Sequence, residues 1–220
     1  MAKPAEDEDT RERLKTSAIR LFSRHGIDGI SVRAILNDAG VKNSAGIHYY
    51  FRTKDDLIRE LVQDALKRTR RARNAALDAL EARGTPITVR DVVDTILRVE
   101  TTGTGDPEQR TDLPIGFGHM RFISVMQLNH RDMFIAAVRS EGDNSFERCI
   151  EHIATALPDV PRPVVNRRMI FFFQFAQASL SAREAAFVLD PTGGKLWGDP
   201  DALDGLTETL TAALYCDIPD

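Results

Sequence analysis

Cysteine is scarce: two residues in a chain of 220. Cys149 and Cys216 stand far apart with no partner spacing, which argues against a zinc site or a disulfide framework and leaves reduced thiols in a cytoplasmic protein as the expectation. Long apolar runs are missing too. The longest, Met169 to Phe175, falls far short of the roughly 20 residues a membrane helix needs, so no membrane partner is expected. The opening stretch, MAKPAEDEDT, is acidic and has no apolar core; it is no signal peptide and reads as a disordered acidic tail over residues 1–9. No alternating strand pattern, internal repeat or glycine-rich phosphate loop occurs, and Gly116-Phe117-Gly118 has no strand before it. His25, His48, His119, His130 and His152 have no metal-ligand spacing, and no nucleophile elbow is present. The chain thus offers no catalytic residue, no metal site and no cofactor motif, and is read as not an enzyme.

What is present is helical periodicity. Leu14, Ala18, Leu21 and Phe22 give a first helix, Thr10 to His25, one apolar face, and Gly26 ends it. Ser31 is a good N-cap for a second helix in which Val32, Ile35 and Leu36 share a face. Gly40 can take positive φ at no steric cost and serves as the pivot of a turn. A further short helix follows. Ile47 and Phe51 share its inner side, while His48, Tyr49 and Tyr50 crowd the outer one. Helix, glycine turn and helix with a hydrogen-bonding outer face make a helix-turn-helix, whose second helix enters the DNA major groove. Two short helices packed at a glycine, with solvated outer faces, would look much the same.

Thr53, with Asp56 three residues on, caps a long helix reaching to about Ala82. Its middle, Lys67 to Arg73, is strongly basic and reads as a solvated span, with a second DNA patch as the other reading. Thr88 caps a helix bearing Val89, Val92, Val93, Ile96 and Leu97, and Thr101 to Asp112 reads as a loop. Further helices are expected over Pro114–Leu128, Met133–Val138, Phe146–Leu157, Val164–Leu189 and Pro200–Cys216. The fold class is therefore all-α. Net charge is −4. Past the acidic tail, however, basic residues outnumber acids up to Lys54. A basic head on an acidic body suits a protein that places one end on phosphates.

Thr10 to Val62 resembles the N-terminal domain of the tetracycline-repressor (TetR) family. The residues that carry the resemblance are Ala18, Leu21, Phe22 and Gly26, then Ser31-Val32-Arg33, Ala39-Gly40-Val41, Tyr49-Tyr50-Phe51 and Thr53-Lys54-Asp55-Asp56-Leu57. Between Val41 and Phe51 the chain is one residue longer than the commonest family pattern and carries Gly46. The resemblance implies a three-helix DNA-binding domain over residues 10–56 and a helical regulatory and dimerisation domain over residues 57–220. It places Ser31, Arg33, Lys42, Asn43, Ser44, His48, Tyr49, Tyr50 and Lys54 at the DNA, with Ser31 and Lys54 on phosphates and Arg33 within reach of base edges.

It also implies that the last two helices pair with a second subunit. Apolar stripes there agree with this, and the expected interface is Leu180, Arg183, Leu189, Leu203, Leu206 and Leu210. An intramolecular core would use the same stripes. Phe117, Phe122, Met126, Phe171 and Phe175, with His119, Arg121 and Gln174, are read as lining an apolar effector cavity; an ordinary aromatic core is the other reading. The whole describes a ligand-responsive repressor, homodimeric on a palindromic operator and released by a small, largely apolar effector. A helical enzyme using that cavity and a ligand-independent architectural DNA-binding protein are the alternatives.

Overall fold

The computed structural model describes residues 3–41, 49–102, 118–142 and 144–215. Among them every regular element is a helix: α1 (Lys3–His25), α2 (Val32–Asp38), α3 (Lys54–Glu81), α4 (Val89–Thr102), α5 (His119–Asn129), α6 (Arg131–Glu141), α7 (Ser145–Ala156), α8 (Arg162–Leu189), α9 (Gly194–Trp197) and α10 (Ala202–Tyr215). Lys42, Asn43, Ser44, His48 and Phe117 lie outside the described residues.

The starts of these helices follow their caps. Ser31 is extended (φ −80°, ψ 155°), and its hydroxyl accepts a bond from the Ala34 amide at 3.2 Å. Thr53 and Asp56 close the first turn of α3: the Asp56 amide donates to the Thr53 hydroxyl at 3.0 Å. Thr88 and Asp91 do so reciprocally for α4, each backbone amide donating to the other's side chain at 2.9 and 3.1 Å. Helix α1 departs from expectation. It begins at Lys3, inside the stretch read as a disordered tail. Acidic residues suit a helix N-terminus electrostatically, and Asp9 pairs with Arg13 one turn on at 3.3 Å.

The chain forms two compact units, and the division falls within α3, after Leu66. The first unit takes residues 1–66 and, in addition, residues 113–141. Sequence order had suggested a single boundary after residue 56. The side chains explain the difference. Leu14, Ala18 and Phe22 of α1, Ile35 and Leu36 of α2, and Leu57, Ile58, Leu61 and Val62 of α3 form one core that also takes in Phe122, Ile123 and Met126 of α5 and Ala137 of α6. Phe22 and Phe122 stack, with ring centroids 6.2 Å apart. Burying each such ring contributes about 1.5–3 kcal/mol. Gly118 permits α5 to begin against α1: its φ is +102°, and a Cβ there would meet the Ser23 hydroxyl at 2.7 Å.

The second unit packs α4, α7, α8 and α10 together, with α4 and α8 each against α10. Val89, Val92, Val93, Ile96 and Leu97 of α4 are buried, as are Val165, Met169, Phe172, Ala176 and Leu180 of α8 and Leu210 and Leu214 of α10. A polar group is buried here too. Arg73 of α3 donates to Glu100 Oε1 at 2.9 Å and to the Ser145 hydroxyl at 3.1 Å, and its guanidinium lies 5.5 Å from the Phe173 ring. The basic run read as a solvated span therefore ends in a buried residue.

Candidate nucleic-acid interface

Helix α2 stands on the buried pair Ile35 and Leu36, which turns Ser31, Arg33, Asn37 and Gly40 outward. Gly40 has φ +68°, and the turn closes with the Val41 amide donating to the Leu36 carbonyl at 2.9 Å. Arg33 is exposed on the outer face. An unsheathed guanidinium beside a capped helix start is a donor for a phosphate or a base edge.

Tyr49 and Tyr50 pack edge to face, centroids 4.9 Å apart. Tyr49 is 66% exposed, and Tyr50 is half-buried against the core. Both phenols donate to one carboxylate, that of Asp7: Tyr50 to Oδ1 at 3.1 Å and Tyr49 to Oδ2 at 3.2 Å. The bond to Asp7 raises the pKa of Tyr49; for Tyr50, burial raises it first, a bond from the Thr10 side chain works against that, and Asp7 adds to the rise.

Arg11 fixes the backbone here. Its guanidinium lies 4.3 Å over the Phe51 ring, donates to the Tyr50 carbonyl and pairs with Glu60. Lys15 joins Glu60 at 2.8 Å and Asp64 at 2.7 Å. Neither Arg11 nor Asp7 was singled out from sequence. Asp7 sits in an acidic run that reads as tail, and Arg11 is one of many arginines. Their only signal is four-residue spacing on a helix whose N-terminal end was placed too late.

Lys54, expected on a phosphate, is used within the unit: its ammonium donates to the Ile27 carbonyl at 2.6 Å and lies 5.6 Å from the Phe22 ring. Ser31 is exposed and its hydroxyl serves as the cap.

Residues 16–61 match the family of bacterial regulatory proteins called the tetR family. The chain carries the DNA-binding module of the TetR family. Transcription regulation through DNA binding follows from that module. The fold is similar to a crystal structure from Rhodococcus sp. RHA1, a provisionally assigned transcriptional regulator, with TM-score 0.51, 20% identity, and 96% of this chain and 97% of that chain covered. No curated protein matches the chain. None of the helices, among the described residues, is long and apolar enough to cross a membrane.

The residues read as lining an effector cavity fall in both units, one set in each. Phe122 and Met126 are fully buried in the TetR-type unit's own core, where Phe122 stacks on Phe22. His119 is buried and Arg121 half-buried on the same helix. Phe171, Gln174 and Phe175 belong to the second unit and point outward, the two rings 51% and 60% exposed. Helical spacing showed that Phe122 and Met126 share a face, but not that α1 would cover it.

The expected pairing residues divide as well. Leu180 and Leu210 are buried within the second unit, and Leu203 and Leu206 are half-buried. Arg183 lies 5.0 Å over the Phe187 ring, and Leu189 is 87% exposed. Further outward apolar surface of α8 lies at Ile170, Phe171 and Phe175, continued by Ala178 and Ala182.

Proposed function

We propose that the chain is a homodimeric repressor that grips a palindromic operator with two TetR-type heads and is released by a small, largely apolar effector. The observation that carries the dimer is the outward face of α8. Ile170, Phe171 and Phe175 are each more than half exposed. Ala178 and Ala182 follow at helical spacing, and Ala212 and Ala213 are exposed on the neighbouring α10. Large rings beside small residues on two packed helices suit a self-complementary two-fold contact. One head reads one half-site; a two-fold pair reads two, about one helical turn or a multiple apart. Occupancy of such a site blocks transcription without a separate activating surface.

The effector reading is supported by the second unit's own chemistry. Phe146 and Phe173 meet at 4.9 Å, with the Arg73–Glu100 pair and the Ser145 hydroxyl alongside. Aromatic rings beside a few fixed polar groups are the side-chain types that small organic ligands commonly meet. Such a ligand lowers operator affinity only if it binds the DNA-incompetent state more tightly, and DNA then lowers ligand affinity by the same factor.

Analytical ultracentrifugation with footprinting on a selected operator tests the reading. Wild type should sediment as a dimer and protect two symmetric half-sites. Phe171→Asp/Phe175→Asp should sediment as a monomer and lose that protection. A double variant that stays dimeric moves the interface off α8.

A further inference from the structure

The two phenols of Tyr49 and Tyr50 form a small anion receptor, and the chain fills it itself. The edge-to-face rings bring both hydroxyls onto the two oxygens of the Asp7 carboxylate, at 3.2 and 3.1 Å. A phenol has one O–H to give. While Asp7 holds both, neither can be donated to another anion. A DNA phosphodiester also presents two anionic oxygens, and hydroxyl donors are among its common partners. Tyr49, two-thirds exposed, is open to such a ligand.

We propose that Asp7 is an internal stand-in for a DNA phosphate: the N-terminal turns of α1 must surrender the Tyr49–Tyr50 hydroxyls before the duplex backbone can be held there. The inference rests on the DNA-binding reading of this face. Its consequence is a uniform reduction in affinity. Asp7 contacts no base, so displacing it weakens every sequence alike, and only a site with enough further contacts is held. Glu8 and Asp9 extend the same acidic turn; Asp9 is paired with Arg13, while Glu8 is exposed. A phosphate approaching the tyrosines therefore meets like charge as well as occupied donors.

The opposite role for the same contact is structural: Asp7 would hold the tyrosines in their DNA-ready orientation, and its loss would weaken binding. The two roles predict opposite signs. Full-length protein is titrated against a fluorescein-labelled 30-bp random-sequence duplex at low salt, since phosphate contacts do not depend on sequence. Asp7→Asn should bind about three- to tenfold more tightly, the scale of one exposed charge-assisted contact. Glu8→Gln makes the same charge change one residue along and should gain less than about twofold. In a Tyr49→Phe/Tyr50→Phe background the Asp7→Asn gain should shrink to that of Glu8→Gln. An ultraviolet titration of the phenols reads the contact without DNA: Asp7→Asn should lower their midpoint. Asp7→Asn binding no better than Glu8→Gln, or a gain that persists in full without the hydroxyls, overturns the inference while leaving DNA binding standing. If neither wild type nor any variant binds duplex, the DNA-binding reading fails and takes the inference with it.

Discussion

Helices α3 and α8 are each 28 residues long, yet they state their surroundings very differently. Along α3, Leu57, Leu61, Ala65, Leu77 and Leu80 recur at helical spacing and every one is buried. Ile58 and Val62 widen that buried face, and charged residues predominate on the far side. Along α8, Ile170, Phe171, Phe172, Phe173 and Phe175 point in all directions; Phe172 is buried, and Ile170, Phe171 and Phe175 are more than half exposed. A helix with one apolar stripe specifies one neighbour. A helix apolar all round specifies that more than one face will be covered, but not which face meets the core and which is left for another chain.

The sharpest way to break this contrast is at the one buried polar residue inside the α3 stripe. Arg73 stands four residues before Leu77, in line with the apolar positions, and is 5% exposed. Its partner Glu100 keeps only 15% of its side chain exposed. Arg73→Ala leaves that carboxylate buried without its guanidinium, which costs about 3–5 kcal/mol. Denaturant unfolding followed by circular dichroism should show that loss; a cost under about 1 kcal/mol would mean the pair is solvated after all. Phe122→Ala tests the other unit. A ring at the centre of the core should cost about 3 kcal/mol when removed. Were Phe122 a cavity wall instead, stability would hold and only ligand affinity would fall.

A smaller effect is expected on α8. Phe171→Asp and Phe175→Asp replace outward rings, so the unfolding free energy of the isolated monomer should change by no more than about 0.5 kcal/mol per site. Leu180→Ala, one face round, should cost about 2–4 kcal/mol. Equal costs at Phe171 and Leu180 would erase the distinction between the two faces.

The contrast also marks what could be read from the residues alone. The caps at Ser31, Thr53 and Thr88, the turn at Gly40 and the stripes of α1 to α4 were all legible, because each is a local matter of a few side chains and a backbone. The all-helical class followed from the same signals. Tertiary choices were not legible in this way. Nothing in the spacing of Phe122 and Met126 says that α1 covers them. Nor does a lysine following a capping threonine announce that its ammonium will be spent on the Ile27 carbonyl. Arg33 and Tyr49, both expected at the DNA, are exposed, whereas Asp7 was hidden because acidic termini usually fray.

The smallest effect concerns the ion network that braces α1 on α3. Burial pushes the Glu60 carboxyl up, but bonds from Lys15 and Arg11 outweigh it and hold its pKa below the ordinary value. Lys15 is the converse: burial works against its charge, yet Asp64, Glu60 and Glu12 carry its pKa above the ordinary lysine range. The signs follow by linkage. A lowered carboxylate contributes stability that is present above its unfolded pKa, about 4.3, and is lost as pH falls through the folded value. A raised amine contributes stability that is present below its unfolded pKa, about 10.4, and is lost as pH rises through the folded one. Stability of the first unit should therefore be flat from about pH 5 to 9 and fall on both sides. Glu60 keeps 28% of its side chain in solvent, so screening limits its share to about 1 kcal/mol. Glu60→Gln should lower the plateau by that amount and make the fall below about pH 4 shallower. Thermal melts from pH 3 to 8 compare the two proteins. An unchanged acid limb in Glu60→Gln would place the acid sensitivity elsewhere, with Asp38, held low by Arg20 and Ser17 against its own burial, next in line.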